Sequence, residues 1–420
     1  MTEATRLRRQ QPTHKTKLLT RGFIFACTAK NESECLNGPL FATESVYGPI
    51  VIRIRKGDLL FLNNLDTNVL HGVFRAVSDG GFRISPDAFG GRYPYQVKVD
   101  PVSEILALSN AKKILKKLDV KRNTPLFHEK LVQLLDAFVR DAPLSLKEQR
   151  RTLAEGPIQD LIRTIHKSHA EVDIENEIPL VDATTLWDFP RQSYGLIPKG
   201  NNKYAGVTPA LIIYNLVWRY TNPGDLVVDP MCGSGTTIDV CKEEKRRVIG
   251  YDISPTRSDI IQNDARKIPL DSNSVDMVFI DSPYGDNVRY SEHPDDIGHI
   301  SSESEEFYNE LEKVMYEAFR VLKEGKVLGW LIGDQWVRNQ FTPVGFKVYE
   351  RLCKYFEPMD IVCVSRRGQH SHTGMWLNRA RRLNFYLRGF KYLIIMKKLS
   401  GKPVSKKARK IEWTHYKRGQ

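Results

Sequence analysis

The sequence predicts an α/β chain, a doubly wound sheet preceded by a small β-barrel and a helical stretch. Three observations predict it. Strand-like and helix-like runs alternate from about residue 178 onward, the pattern of a mainly parallel sheet covered by helices. Short runs rich in β-formers, separated by turn residues, fill Gly22 to about Pro101 and read as a barrel. A glycine-rich turn joins the first strand of the alternating part to its helix.

The elements follow in order. Residues 1–21 are basic and polar without an apolar signal core and read as a flexible arm. In 22–101 the runs "GFIFAC", "IVIRIR", "LLFL", "LHGVFRAV" and "YQVKVD" are strand candidates. In 102–180 the period changes: Leu131, Leu134, Leu135 and Phe138 recur at helical spacing. Pro157 can begin a second helix, "PIQDLIRTIHKSH". This part reads as a helical linker, a spacer or a packing platform. In 181–398 the strands are "DLVVD", "RRVIGYDI", "VDMVFID", "KVLGWLIGD", "MDIVCVSRR" and "FKYLIIMKK". Helices are expected over "SGTTIDVCKEEK", "PTRSDIIQN", "EEFYNELEKVMYEAFRVLKEG" and "FTPVGFKVYERLCKYF". The last two strands lack the usual crossover, so an antiparallel edge strand is expected. Residues 399–420 form a basic tail.

Composition narrows the function. The 420 residues carry a net charge of +13, which fits a polyanionic partner and speaks to association rather than fold. The six cysteines are scattered without a CxxC pair, so neither a zinc knuckle nor a disulfide framework is indicated. No metal is expected, nor a membrane span, and reduced thiols point to the cytoplasm. Oligomeric state is not legible.

Two corners carry the chemistry. In "DLVVDPMCGSGTTIDV" a strand ends at Asp229, Pro230 stops the ladder, and Cys232, Gly233, Gly235 and Thr236 lead into a helix. The glycines allow close backbone approach to a ligand, and the helix start offers free N–H groups. No lysine follows, which argues against a triphosphate loop. Asp252 ends the next strand and can accept both hydroxyls of a ribose; alternatively it caps a helix. Asp264 can accept from an adenine amino group or serve a turn. In series behind Asp229, both read as ligand contacts.

The second corner is Asp281-Ser282-Pro283-Tyr284, at the end of a predicted strand of the same sheet. "DPMCGSGTT" together with "DSPYG" resembles the S-adenosylmethionine-dependent aminomethyltransferases, which methylate exocyclic amines of adenine or cytosine. Their usual pair is DPFxGSGTT with D, N or S before PPY, PPF or PPW. The resemblance covers roughly Trp187 to Lys398. It implies a Rossmann-like, seven-stranded methyltransferase sheet and S-adenosylmethionine above the glycine turn. It also implies that Thr208 and Pro209 start the helix walling in the methionine end. Met231–Cys232 is a mild departure from the pattern. Ser282, where a first proline is usual, is the larger one and blurs the choice of base.

An aromatic amine is a weak nucleophile, so it must be held in line with the methyl group. Asp281 can accept one amine N–H, and the Ser282 carbonyl, held by Pro283, another. Asp281 can stabilise the transient cation and take its proton, in a charge-assisted bond of about 1.5–3 kcal/mol. Tyr284 offers a face for the base, with about 1–3 kcal/mol of stacking.

Substrate selection must lie elsewhere, since strands and helices use up the span between Thr237 and Asp281. One candidate is the loop after the second corner, with Arg289. Another is "SRRGQHSHTGMWLNRARRLNFYLRGFK", where Arg366, Arg367, Arg381 and Arg382 alternate with Trp376 and other aromatics and no acid. That composition suits a single strand. His370 and His372 read as surface residues. A third is 22–101, where "SDGGFRISPDAFGGRYPYQV" resembles the DCD domains, relatives of the PUA-like barrels. Several PUA-like domains bind RNA; a protein-interaction or structural barrel is the other reading.

The expectation is therefore an S-adenosylmethionine-dependent enzyme acting on cytidine N4 in ribosomal RNA. The layout resembles archaeal-type stand-alone enzymes of that sort. The alternatives are a DNA N4-cytosine or N6-adenine methyltransferase, a tRNA guanine-N2 enzyme, and a non-catalytic nucleic-acid binder.

Overall fold

The computed structural model describes residues 21–120, 125–140, 156–167, 179, 181–189, 191–195, 197–201, 203–204, 206–338, 340–366 and 374–399. The chain divides into two compact units, Met1–Ile178 and Pro179–Gln420. The arm over 1–20, Arg367, His370, His372 and the tail from 400 lie outside the described residues.

The first unit is built on a six-stranded, barrel-like sheet. Its strands are β1 (Gly22–Cys27), β2 (Leu40–Thr43), β3 (Leu59–Asn64), β4 (Val69–Ala76), β5 (Gly81–Phe82) and β6 (Tyr95–Ser109). The order is β1-β3-β4-β6-β2, with β5 also on β6. Only β1 and β3 run parallel. The expected strand over 50–55 is absent. Pro49 starts a short helix there, Gly48–Val51, and the Asp58 carboxylate folds the next residues into a turn by accepting from Arg55 N and Arg21.

β6 also outruns its predicted end at Pro101. Pairing lapses after Pro101 and resumes at Leu106, since proline has no N–H to donate to the ladder. The helices His128–Arg140 and Pro157–Lys167 are not a spacer. Leu131, Leu134, Leu135, Phe138, Ile158, Ile162 and Ile165 share one core with Phe61 and Val73 of the sheet. Phe61 and Phe138 stack at 5.7 Å.

The second unit carries an eight-stranded sheet. Its strands are β7 (Leu186–Trp187), β8 (Leu226–Asp229), β9 (Arg247–Asp252), β10 (Ile261–Gln262), β11 (Val275–Asp281), β12 (Leu322–Ile332), β15 (Glu357–Ser365) and β16 (Phe390–Lys397). Between β12 and β15 lies a separate hairpin, β13 (Gln335–Val337) and β14 (Gln340–Thr342). The order is β10-β9-β8-β11-β12-β16-β15-β7. From β10 to β12 the strands are parallel, and β16 is antiparallel to both neighbours. This is the expected Rossmann-like, doubly wound sheet of seven strands, extended by the short β7.

Two expectations fail here. The antiparallel strand β16 is interior, not an edge, because Leu393–Met396 are fully buried between β12 and β15. The helix expected over 255–263 is a turn followed by β10, tied by Arg257 to Asp239 and Asp259. The long helix forms over Glu305–Val321, capped by Ser304, whose hydroxyl accepts from Glu306 N, while the last four residues expected of it, 322–325, open β12 instead. It lays Phe307, Leu311, Met315 and Ala318 on the sheet. No helix among the described residues is long and apolar enough to cross a membrane.

Candidate active site

Strands β8, β9 and β11 end in Asp229, Asp252 and Asp281, and all three carboxylates line one cavity of about 470 Å³. Parallel strands bring their carboxyl ends to the same edge, where open α/β sheets take ligands.

Asp229 is buried at 3% exposure. It accepts from the Thr237 hydroxyl at 2.5 Å and from Met231 N at 3.1 Å. Burial pushes its carboxyl up to about 7, against the pull of those bonds. The turn after it rests on Gly233 and Gly235, at φ +48° and +82°, where a Cβ is strained. A Cβ at Gly233 would also lie 2.9 Å from the Tyr204 ring. The Gly233 N–H donates to Asp252 at 2.8 Å, and Ser254 N donates to the other Asp252 oxygen at 2.9 Å. Burial raises the Asp252 carboxyl.

Asp264 lines the cavity but is already engaged. Arg266 grips both of its oxygens and is held in turn by Glu310. Although burial opposes it, the Arg266 bonds win, and the Asp264 carboxyl sits below its ordinary value. Pro209, Pro230, Cys232 and Thr236 line the cavity, while Gly235 stands behind it as the cap of the helix Thr236–Glu243.

The Asp281 corner is more constrained than the sequence suggests. Asp281 accepts three hydrogen bonds. The Thr208 hydroxyl at 2.6 Å and Lys391 Nζ at 3.4 Å share Oδ2; the Tyr284 hydroxyl reaches Oδ1 at 3.2 Å. Thr208, expected on the methionine side alone, is thus bonded to the Asp281 carboxylate. Tyr284 is only 9% exposed. Its ring is packed against Gly333, with Lys391 Nζ 5.1 Å from the centroid. The open stacking face expected of it is therefore much reduced, and hydrogen bonding to Asp281 is its clearest contact. Burial, ahead of the Asp281 charge, pushes its phenol well up and keeps it a donor.

Ser282 does not line the cavity with its neighbours Asp281, Pro283 and Tyr284. It is 2% exposed, and its hydroxyl accepts the Trp330 indole N–H at 3.1 Å.

Of the expected substrate contacts, Arg366 lines the cavity. Arg289 does not; it is exposed and paired with Glu292. Trp376, Arg381 and Arg382 lie on the helix Gly374–Arg382, outside the cavity lining, with Arg379 over the Trp376 ring.

Sequence reasoning missed Lys391 and the stacked pair Tyr204–Tyr290, whose rings lie 6.1 Å apart in the cavity wall. Lys391 reads as an ordinary charge opening a strand. It reaches Asp281 because β16 is antiparallel, which puts its first residues beside the last residues of β12, with Tyr392 opposite Ile332. No local pattern signals that placement.

Residues 21–135 match the family model described as development and cell death domain, and residues 111–263 match the one described as DNA methylase. The B2 protein of Daucus carota is 40% identical over 85 residues, covering 19% of this chain and 41% of that protein. The type II methyltransferase M.Cfr9I of Citrobacter freundii is 40% identical over 55 residues, 13% of this chain and 18% of that protein. The DNA adenine methyltransferase YhdJ of Escherichia coli is 33% identical over 88 residues, 21% of this chain and 28% of that protein. The chain spans less than half the length of each of these relatives. Over these segments the chain is thus similar to the development and cell death domain family and, further along, to the DNA methylase family.

Proposed function

We propose that Pro179–Gln420 transfers a methyl group from S-adenosylmethionine to an exocyclic amine of a nucleic-acid base, with cytidine N4 in ribosomal RNA as the target. The observation that carries this reading is the single cavity shared by the glycine turn and the Asp281 corner.

The residues fit the cofactor. Asp252 has each oxygen bonded once by backbone, and each keeps a further lone pair for a ribose hydroxyl. Gly233 leaves room where a side chain would meet Tyr204. Asp264, the expected acceptor for the adenine amine, already has both oxygens taken by Arg266 and is left out of these contacts. When bound, the cofactor supplies an electrophilic methyl group on a sulfonium.

The chain's own residues handle the amine. A carboxylate offers about four acceptor sites, and three on Asp281 are filled. The remaining site on Oδ1 takes one amine N–H; Ser282, which does not line the cavity, drops out as the expected second acceptor. Gaining the methyl group, with the sulfonium–methyl bond broken and a neutral thioether leaving, would make the amine nitrogen cationic, and Asp281 would stabilise that charge and accept the released proton. Thr208 and Tyr284 fix the carboxylate's orientation.

Two cations, Lys391 and Arg366, line the same cavity, and they favour cytosine. Its ring carries two acceptors, N3 and O2, where adenine offers N1 and a C–H. The net charge of +13 suits either nucleic acid, and the likeness of the first unit to PUA-like barrels favours RNA. A second reading, amine methylation in DNA, is favoured by the names of two matched relatives.

Labelled methyl transfer to ribosomal RNA, intact ribosomal particles and genomic DNA, followed by nucleoside mass spectrometry, tests the proposal. N4-methylcytidine in ribosomal RNA is expected. Label confined to DNA would sink the ribosomal target, and label in no nucleic acid would sink the reading as a whole.

A further inference from the structure

The hairpin β13–β14 leaves large rings exposed: Trp336 at 41% and Phe341 at 46%. They are not isolated. Phe385 stacks on Trp336 at 6.0 Å and 23°. The Arg388 guanidinium lies 5.2 Å from the Phe341 centroid and 6.0 Å from that of Trp336. Tyr386, at 85% exposure, belongs to the same short segment. Clustered exposed aromatics are costly on a surface with no partner.

The charge says which partner. Neither hairpin strand contains an acid, and none occurs between Asp360 and Glu412, whereas arginine and lysine are frequent there. A second copy would bring one cationic face against another. A polyanion with flat rings matches both the charge and the aromatic planes, since stacking is tolerant of base identity and arginine serves the phosphate.

The deck is rooted in the cavity wall. Gln335, the first residue of β13, donates to Asn287 Oδ1 at 2.8 Å and accepts from the Ser302 hydroxyl at 2.7 Å. Asn287 lines the cavity. Gly333, just before the hairpin, packs on Tyr284.

We infer that Trp336, Phe341, Phe385 and Arg388 form a stacking deck for an unpaired nucleotide of the strand whose neighbouring base enters the cavity. The inference rests on the nucleic-acid reading above and adds where the strand is held. It also gives the enzyme a means of preferring single-stranded or looped targets, because a base locked in a helix cannot reach such a deck.

The test is fluorescence anisotropy with the full chain and a labelled single-stranded oligonucleotide, as RNA and as DNA, against the matching duplex. Trp336→Ala and Phe341→Ala should each weaken single-strand binding by about 5- to 150-fold, with cofactor affinity and melting temperature unchanged. Trp336→Phe should restore most of the loss. Dependence on Trp336 with either polymer supports the deck, and comparing the two shows which polymer it prefers. If the variant carrying both Trp336→Ala and Phe341→Ala binds single strands as the wild type does, the deck is wrong. It is equally wrong if sedimentation shows Trp336→Ala dissolving a dimer while oligonucleotide binding stands. Binding needs no turnover, so a wild type that transfers no methyl yet binds strands through Trp336 would overturn the transfer reading and leave the deck.

Discussion

The Ser282 hydroxyl accepts the Trp330 indole N–H at 3.1 Å, in a place where both residues are buried. A proline at 282 has no such acceptor. The serine thus answers a need of the core, and its departure from the usual tetrapeptide says nothing of the base. Ser282→Ala should cost about 1–3 kcal/mol by orphaning a buried donor, read by urea denaturation. Adding Trp330→Phe should recover part of that loss. Unchanged stability in Ser282→Ala would mean the bond contributes nothing.

Lys391 sits between the Asp281 carboxylate and the Tyr284 ring. On the proposed reading it would also donate a charged hydrogen bond to the cytosine ring. Lys391→Met should lower kcat/KM on the cytidine substrate about 10- to 100-fold, with cofactor affinity intact. It should also narrow the preference over an adenosine-containing substrate. An equal fall on both substrates would reassign Lys391 to the carboxylate alone.

Gly233 combines a positive φ with the Tyr204 ring at its back. Gly233→Ala should move Tyr204 and weaken cofactor binding about tenfold, the product of roughly 1–2 kcal/mol of strain. Calorimetric titration of the cofactor checks it. Affinity equal to wild type would remove the turn from the cofactor site.

Asp229 gives the protein a pH signature. Its carboxyl, near 3.8 when unfolded, is pushed up to about 7 by burial. Between those values the folded protein holds a proton that the unfolded chain has released. Stability should therefore fall as pH rises from about 4 to about 7 and then level off, with a slope of at most about 1.4 kcal/mol per pH unit from this group. Asp229→Asn should flatten that slope in urea titrations across the range. Parallel profiles for the two proteins would remove Asp229 as its source.

Much of this site is legible in the chain, because strand-end chemistry is local. Asp229, Gly233, Asp252 and Asp281 each close or follow a short apolar run, and parallel pairing brings such ends together. What escaped the sequence is what depends on distant pairing. Lys391 reaches Asp281 only through the interior antiparallel position of β16. Ser282 finds its partner on β12, and nothing local says its side chain turns inward. The hairpin β13–β14 has strands of three residues, too short for a period to show. Strand β6 continues past Pro101 because tertiary pairing overrides a local breaker.

The most direct test of the central claim is Asp281→Ala, measured for cofactor affinity and for methyl transfer in parallel. Transfer should fall by about 10²- to 10⁴-fold, while cofactor affinity stays close to that of the wild type. Retention of most of the transfer activity would contradict the assignment of Asp281 as the group that holds the amine.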